Sequence, residues 1–395
     1  MNTVIEKVRL SSNKTIIFTL KDNAINIFED PPNNLWTFDL TGRLVGMFID
    51  NKNYRRTLNN KFYIKLRSTV SDEHFRDIKQ IPIYEITPLI EQSHILIRSN
   101  QDRLPSVFHN PLNNILKMDS TAQQSSAKEF NTIYLPISIL PPDQYMSLVI
   151  QLTEGCNYNQ CTFCNFYRDR PFKIKSIDEL KIHISKVKTF FGKGINLRKS
   201  IFLADANALA VPQYQLVKSL ELIHNQFPQF NNYYSFIDVF TGIKKSVADF
   251  KKLNKLGIKR VYLGVESGNN DLMLFLSKKQ LNTDIIKLTH NLKKGGIDVG
   301  IIFLIGAGGS KYAKQHLTDS LALLKQLPLG KGDIIYLSEL YETNLNYEKS
   351  MAEKNIQLPT RQEIRKWSNE FKSELKVKYS KDVQVSVYDI NQFFY

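Results

Sequence analysis

The chain has 395 residues, with 53 Lys and Arg against 38 Asp and Glu, a formal net charge of +15 and 42% apolar residues. That length accommodates a barrel-sized domain of roughly 200–250 residues plus smaller units, and the composition is ordinary for a globular protein. No apolar run approaches the ~20 residues that span a bilayer, and Met1 to Lys7 lacks the apolar core of a signal peptide, so a cytoplasmic location and no membrane partner are expected.

The charge is uneven. Residues 1–150 hold 17 Lys and Arg against 15 Asp and Glu, whereas the remaining 245 hold 36 against 23. A basic second part suits an anionic partner, either a phosphorylated small molecule or RNA. A Lys- and Asn-rich composition also raises the pI without meaning, and that reading is slightly preferred.

Residues 1–100 read as β-rich. Short β-branched and aromatic runs (Thr15 to Leu20, Ala24 to Phe28, Leu35 to Leu40, Leu44 to Ile49, Phe62 to Leu66) alternate with Asn, Asp, Gly and Pro turns. A small meander of hairpins is expected there. Residues 101–140, with Pro105, Pro111 and the polar stretch Ser120 to Ser126, read as a linker.

After Pro141-Pro142 the pattern changes to strands alternating with helices. Ser147 to Thr153 predicts a strand, and the loop behind it carries Cys156, Cys161 and Cys164, every cysteine of the chain. Ser176-Ile177-Asp178-Glu179 is a capping box that opens a helix with an apolar stripe through Leu180, Ile184, Val187 and Phe191. Further strands are predicted at Ser200–Ala204, Tyr233–Phe240, Arg260–Gly264, Val299–Ile305 and Asp333–Leu340, with helices between them. Residues Arg361 to Lys378 read as helix and Val383 to Val387 as a last strand. Repeated strand–helix alternation implies a parallel sheet with right-handed crossovers. The fold class expected is α/β: a partial (β/α)6 TIM-type barrel with a small β-rich N-terminal accessory domain. The divisions are 1–100 accessory, 101–140 linker, 141–345 barrel core and 346–395 a C-terminal helix and strand extension. Such barrels place their chemistry at the C-terminal ends of the strands, where the cysteine loop lies.

Three thiolates on one short loop can hold a metal centre while leaving a position open. A zinc site would need a fourth ligand, and the nearest downstream His is His183. An odd count disfavours disulfides. The spacing C-x4-C-x2-C, with the aromatic Phe163 before the last cysteine, resembles the cluster loop of the radical S-adenosylmethionine (radical SAM) superfamily. The commonest spacing in that superfamily has three residues, not four, between the first two cysteines. The resemblance implies a 4Fe–4S cluster on Cys156, Cys161 and Cys164, with its fourth iron open to the methionine moiety of S-adenosylmethionine (SAM). It also implies the partial barrel and an external electron donor such as a flavodoxin or ferredoxin.

Four further places extend the resemblance. Asp205-Ala206-Asn207, after the second strand, matches the turn that receives the methionine ammonium, so Asp205 and Asn207 are expected to meet it; helix capping is the competing role. Gly264-Val265-Glu266-Ser267-Gly268 resembles the fourth-strand signature in which Glu266 and Ser267 approach the ribose. Leu304 and Gly306 match the apolar–Gly segment against which adenine packs, although Ser310 stands where a Glu is usual. Phe163 is expected against adenine or the cluster edge. For substrate there remain Asp238, Ser338, Glu339 and Tyr341 at strand ends, of which Asp238, Glu339 and Tyr341 are the catalytic candidates. Arg168, Arg170, Lys173 and Lys175 form a basic run that reads more simply as a solvated face.

The expected function is reductive cleavage of SAM to a 5′-deoxyadenosyl radical, which abstracts hydrogen from a small-molecule substrate that the charge allows to be anionic. The absence of further cysteines speaks against an auxiliary cluster, and no Asp-x-His-x-x-Gly cobalamin motif precedes the core. An RNA-modifying radical SAM enzyme is the second reading, since no RNA-binding motif supports it. A non-catalytic zinc-binding regulatory or binding protein is the third.

Overall fold

A computed structural model describes residues 3–11, 13–67, 76–340, 343–379 and 382–395. The chain divides into two compact units, Met1–Ile137 with Ser185–Lys199 and Asn391–Tyr395, and Ser138–Ile184 with Ser200–Ile390. Among the described residues no helix is long and apolar enough to cross a membrane.

In the first unit, eight strands pair in sequential antiparallel order. They are β1 (Val4–Ser11), β2 (Lys14–Leu20), β3 (Ala24–Asp30), β4 (Asn34–Asp39), β5 (Leu44–Ile49), β6 (Lys52–Arg56), β7 (Phe62–Arg67) and β8 (Arg76–Ile81). Period-two burial puts Ile16, Phe18, Ile25, Ile27, Trp36 and Phe38 in one core, which helices α1 (Ile83–Arg98) and α2 (Ser106–Lys117) complete. The Trp36 indole donates to the Leu89 carbonyl at 2.8 Å, which satisfies its one polar atom inside that core.

The stretch read as a linker is helical instead. Pro105 stands at the N-cap of α2, outside the helical hydrogen-bond ladder, where it costs nothing. The Asp119 carboxylate accepts from Ala122 N at 2.8 Å to start α3 (Ser120–Ile133), whose buried stripe includes Gln123, Ala127, Phe130 and Ile133. A Ser-, Thr- and Gln-rich run takes helix here because it has a cap and an i, i+4, i+7 stripe to bury. Helix α1 and strands β1, β6 and β8 also lay outside the predicted set.

The second unit is built on seven parallel strands in sequential order. They are β9 (Ser147–Gln151), β12 (Ser200–Ala204), β13 (Tyr233–Phe236), β14 (Ile258–Glu266), β15 (Asp298–Ile305), β16 (Ile334–Glu339) and β17 (Gln384–Tyr388). A two-residue ladder, β10 (Thr153–Glu154) with β11 (Lys173–Ile174), closes the base of the cysteine loop. Helix α4 (Ile177–Phe191) has its residues up to Ile184 in this unit, and α5 (Gln213–Gln226), α6 (Val239–Gly242), α7 (Val247–Lys255), α8 (Asn270–Phe275), α9 (Asn282–Lys294), α10 (Gly309–Leu324), α11 (Leu345–Glu353) and α12 (Arg361–Tyr379) follow in chain order. The predicted capping box opens α4: Glu179 N donates to Ser176 Oγ at 3.2 Å, and Ser176 N donates to the Glu179 carboxylate at 2.8 Å. The C-terminal strand joins the sheet beside β16, so the six expected strands become seven.

Large aromatics fill the barrel. Phe202, Phe236, Tyr262, Tyr336 and Tyr388 form a run with successive ring centroids 5.2, 6.1, 6.4 and 5.4 Å apart. Asp143 accepts from the hydroxyls of Tyr262 at 2.5 Å and Tyr336 at 2.7 Å, and from Arg260 at 2.8 Å. These contacts satisfy polar atoms that would otherwise be buried without partners.

Candidate active site

The cysteine loop leaves the C-terminal end of β9 through Gly155, whose φ is +71° and whose Cβ, if it had one, would lie 2.8 Å from the Pro171 carbonyl oxygen. Inside the loop Asn159 N donates to Cys156 Sγ at 3.3 Å, and Asn159 Nδ2 donates to the Tyr167 carbonyl at 3.0 Å. Arg168 spans two turns, donating to the Cys161 carbonyl at 2.8 Å and the Cys164 carbonyl at 3.2 Å. Tyr158 anchors the outer edge by donating to the Ser277 carbonyl at 2.6 Å and stacking on Phe240 at 5.0 Å.

All three cysteines are free thiols and line one cavity of about 320 Å³ at the strand ends. Asn207 and Asp238 share its wall with Asn157. Asn207 Nδ2 donates to Asp238 Oδ2 at 2.5 Å and to Asn157 Oδ1 at 3.3 Å, while Asn157 Nδ2 donates to the same Asp238 oxygen at 2.9 Å. The other Asp238 oxygen caps α6 by accepting from Thr241 N at 2.5 Å. Asp238 is therefore a cap and a hub for two amides. The Asn207 carbonyl oxygen is buried without a partner, so this wall offers one unspent acceptor.

Opposite chemistry comes from β14. Its register shifts at Gly264 and Glu266, and Glu266 adopts φ +60°. That bulge puts Glu266 in the cavity wall, where its carboxylate accepts from Lys278 Nζ at 2.6 Å. Burial works against the Lys278 charge, yet Glu266 and Cys161 facing it hold its pKa above the ordinary lysine value. Phe163 and Leu304 also line the cavity and pack in one apolar cluster with Leu340 and Tyr347.

Other expected site residues point elsewhere. Asp205 lies behind the loop, only 2% exposed, pairing with Arg170 Nη2 at 3.2 Å and accepting from Gly155 N at 3.2 Å and Gln151 Nε2 at 3.2 Å. Burial pushes its carboxyl up to about 6, against the pull of Arg170. It braces the loop and does not reach the cavity wall. Ser267 is fully buried against His316 Nδ1 at 2.7 Å, because the bulge turns it to the outer face of the sheet. Gly306 has φ +95°, and a Cβ there would meet Ile364 at 2.9 Å, so it serves a close approach to α12 outside the cavity. Glu339 reaches the wall, but its carboxyl bonds Ser368 of α12, and burial raises its pKa. Ser338 lies in the wall beside it. Tyr341 lies outside the described residues. The basic run is spent within the unit: Arg168 on the loop carbonyls, Arg170 on Asp205, Lys173 on Glu179 at 2.5 Å and Lys175 on Glu154.

Sequence reasoning missed Asn157 and Lys278. Asn157 was legible only as the neighbour of Cys156. Lys278 lies 12 positions after Glu266 in a stretch with no motif, and the fold alone brings the pair together.

Residues 150–318 match the Radical SAM superfamily. That stretch, which holds the three cysteines, is similar to a radical SAM domain. A similar curated protein, the 4'-phospho-dehydrooxetanocin synthase of Priestia megaterium, is 23% identical over 244 residues, which cover 53% of this chain and 30% of that protein. The chain thus matches less than a third of that relative's length. Among solved structures, coproporphyrinogen III oxidase (HemN) from Escherichia coli aligns at a TM-score of 0.43 and 16% identity over 58% of this chain and 52% of its own. Methylornithine synthase (PylB) aligns at a TM-score of 0.38 and 17% identity over 60% and 66%.

Radical SAM proteins use a 4Fe–4S cluster and SAM. The donor set of this cavity fits them. Burial pushes the Cys161 thiol up to about 12 and raises that of Cys164, with Lys278 the nearby cation opposing this. Thiolates at Cys161 and Cys164 therefore need a cationic group beside them, which clustered iron supplies. Among the described residues, no three His, Cys, Asp or Glu side chains converge as ligands of a single metal ion. The unpartnered Asn207 carbonyl fits an ammonium donor, and Glu266 fits a hydroxyl pair.

Proposed function

We propose that this protein is a radical SAM enzyme acting on a small-molecule substrate bound inside the barrel. The reading rests chiefly on one juxtaposition: three free cysteines, the unspent Asn207 carbonyl and Glu266 line a single cavity at the C-terminal ends of parallel strands. A cluster with SAM supplies one-electron cleavage to a 5′-deoxyadenosyl radical, the hard chemistry that belongs to the cofactor. The chain's own part is to hold and shield. Cys156, Cys161 and Cys164 would ligate iron, with Arg168 fixing the loop that presents them. Asn207 would accept from the methionine ammonium, Glu266 from the ribose, and Phe163 and Leu304 would pack against adenine. A small electron carrier such as a flavodoxin or ferredoxin would supply the electron. RNA stays second, because Lys278 is the single Lys or Arg among the described lining residues and it is already paired with Glu266.

The test is anaerobic reconstitution with iron and sulfide, then dithionite and SAM, with 5′-deoxyadenosine measured by mass spectrometry. Brown protein that releases 5′-deoxyadenosine is expected. Colourless protein holding one zinc ion, and no SAM cleavage, would make it a zinc-binding regulatory protein instead.

A further inference from the structure

The cavity has two chemically distinct ends. Its rim carries the cysteines, Asn157, Asn207 and the Glu266–Lys278 pair, whereas Phe236, Tyr262 and Ile302, which precede Asp238, Glu266 and Leu304 along the chain, line its inner end. The Tyr262 hydroxyl there is spent on an atom outside the lining, donating to Asp143 at 2.5 Å, and that of Tyr388, paired with Ser338 farther along the strands, donates to the Leu140 carbonyl at 2.6 Å. What remains is ring surface and one branched aliphatic. The charge of the wall is also accounted for. Lys278 is neutralised by Glu266 at 2.6 Å, Asp238 caps α6 and holds two amides, and the Glu339 carboxyl bonds Ser368. An anion entering this end would lose its hydration and meet no free cation to replace it. An apolar group would gain by every part of its surface withdrawn from water.

We infer that the substrate presents an uncharged apolar group, an aromatic ring or branched hydrocarbon, to this inner end, and keeps any phosphate or carboxylate outside the barrel. The inference rests on the radical SAM reading and narrows its substrate. The overall charge of +15 would suggest the opposite, but that excess lies outside the cavity lining.

The experiment compares three probes that share one ring and differ in charge: benzyl alcohol, benzyl phosphate and benzylamine. Binding to the reconstituted full chain with SAM present is followed by saturation-transfer NMR. Benzyl alcohol is expected to bind at least about tenfold more tightly than benzyl phosphate, the smallest ratio one unpaired charge should give. Ile302→Arg should reverse that order by placing a cation at the inner end. Phe236→Leu serves where the arginine variant does not fold, and should weaken benzyl alcohol severalfold without improving benzyl phosphate. Equal or tighter binding of benzyl phosphate, preference for benzylamine, or no ring binding by protein that cleaves SAM would each overturn the inference. Protein that prefers benzyl alcohol yet neither assembles a cluster nor cleaves SAM would sink the proposed function and leave the preference of the inner end standing.

Discussion

The two ends of the cavity are built by opposite means. The rim is a set of polar side chains whose contacts were made by loops and by one bulge: Asn157, Asn207 and Asp238 share hydrogen bonds, and Glu266 meets Lys278. The inner end is a layer of rings placed by strand alternation, with every hydroxyl tied off below. The contrast teaches that, on the function proposed above, a change of preference at the inner end needs only a few ring positions, whereas the rim tolerates little. Rim groups share partners, so removing one takes a hydrogen bond or an ion-pair partner from its neighbour.

The largest expected break of the rim is loss of a thiol. Cys156→Ala, Cys161→Ala and Cys164→Ala should each reduce iron after reconstitution from about four per chain to near none, because two thiolates leave two irons open. Full iron content in any one of them would remove that residue from the ligand set.

Next is Glu266→Gln. A charge-assisted hydrogen bond is worth roughly 1.5–3 kcal/mol, so SAM should bind about ten- to a hundredfold more weakly. The same change leaves Lys278 buried without its anion, so thermal stability without SAM should fall as well. Lys278→Gln separates the two effects: it should lower the melting temperature while largely sparing SAM affinity. Equal affinity losses in the two variants would assign the effect to the ion pair and not to a contact with ribose.

Asn207 and Asp205 sharpen the comparison further. Asn207→Ala removes the unspent acceptor and should cost about tenfold in SAM affinity, measured by equilibrium dialysis. Asp205→Asn should leave that affinity within about twofold and instead loosen the loop held through Gly155 and Arg170, seen as a lower melting temperature. The reverse outcome would give Asp205 the ammonium contact.

The smallest effect lies behind the rim. Burial lowers the His316 pKa to about 4, so the native state keeps it neutral while the unfolded chain takes up a proton near pH 6.5. Its contribution is complete above pH 6.5 and is lost as pH falls toward 4. By pH 6 the loss is only about 0.8 kcal/mol. His316→Asn keeps an acceptor for Ser267 and should flatten this acid limb in denaturant titrations at several pH values. An unchanged limb would place the acid sensitivity elsewhere.

What the sequence determined by itself was local and periodic. Three cysteines within nine residues, the Ser176–Glu179 capping box and the alternation of strands with helices need only nearest neighbours and burial periods to be read. The N-terminal runs from Thr15 to Leu66 were equally legible, since period-two burial marks them as strands of one sheet. The tertiary structure decided which polar groups face the cavity. Asp205 and Asn207 stand two positions apart on one turn, yet one meets a buried arginine and the other keeps an open carbonyl. Glu266 and Ser267 are adjacent, yet the positive φ at Glu266 sends one inward and the other to His316. The Lys278 ion pair and the tied tyrosine hydroxyls depend on partners 12 to 248 positions away. Spacing along a chain reports which residues share a turn or a face. It carries no information on which distant donor reaches a carboxylate first, and at this site that competition set the role of each polar residue.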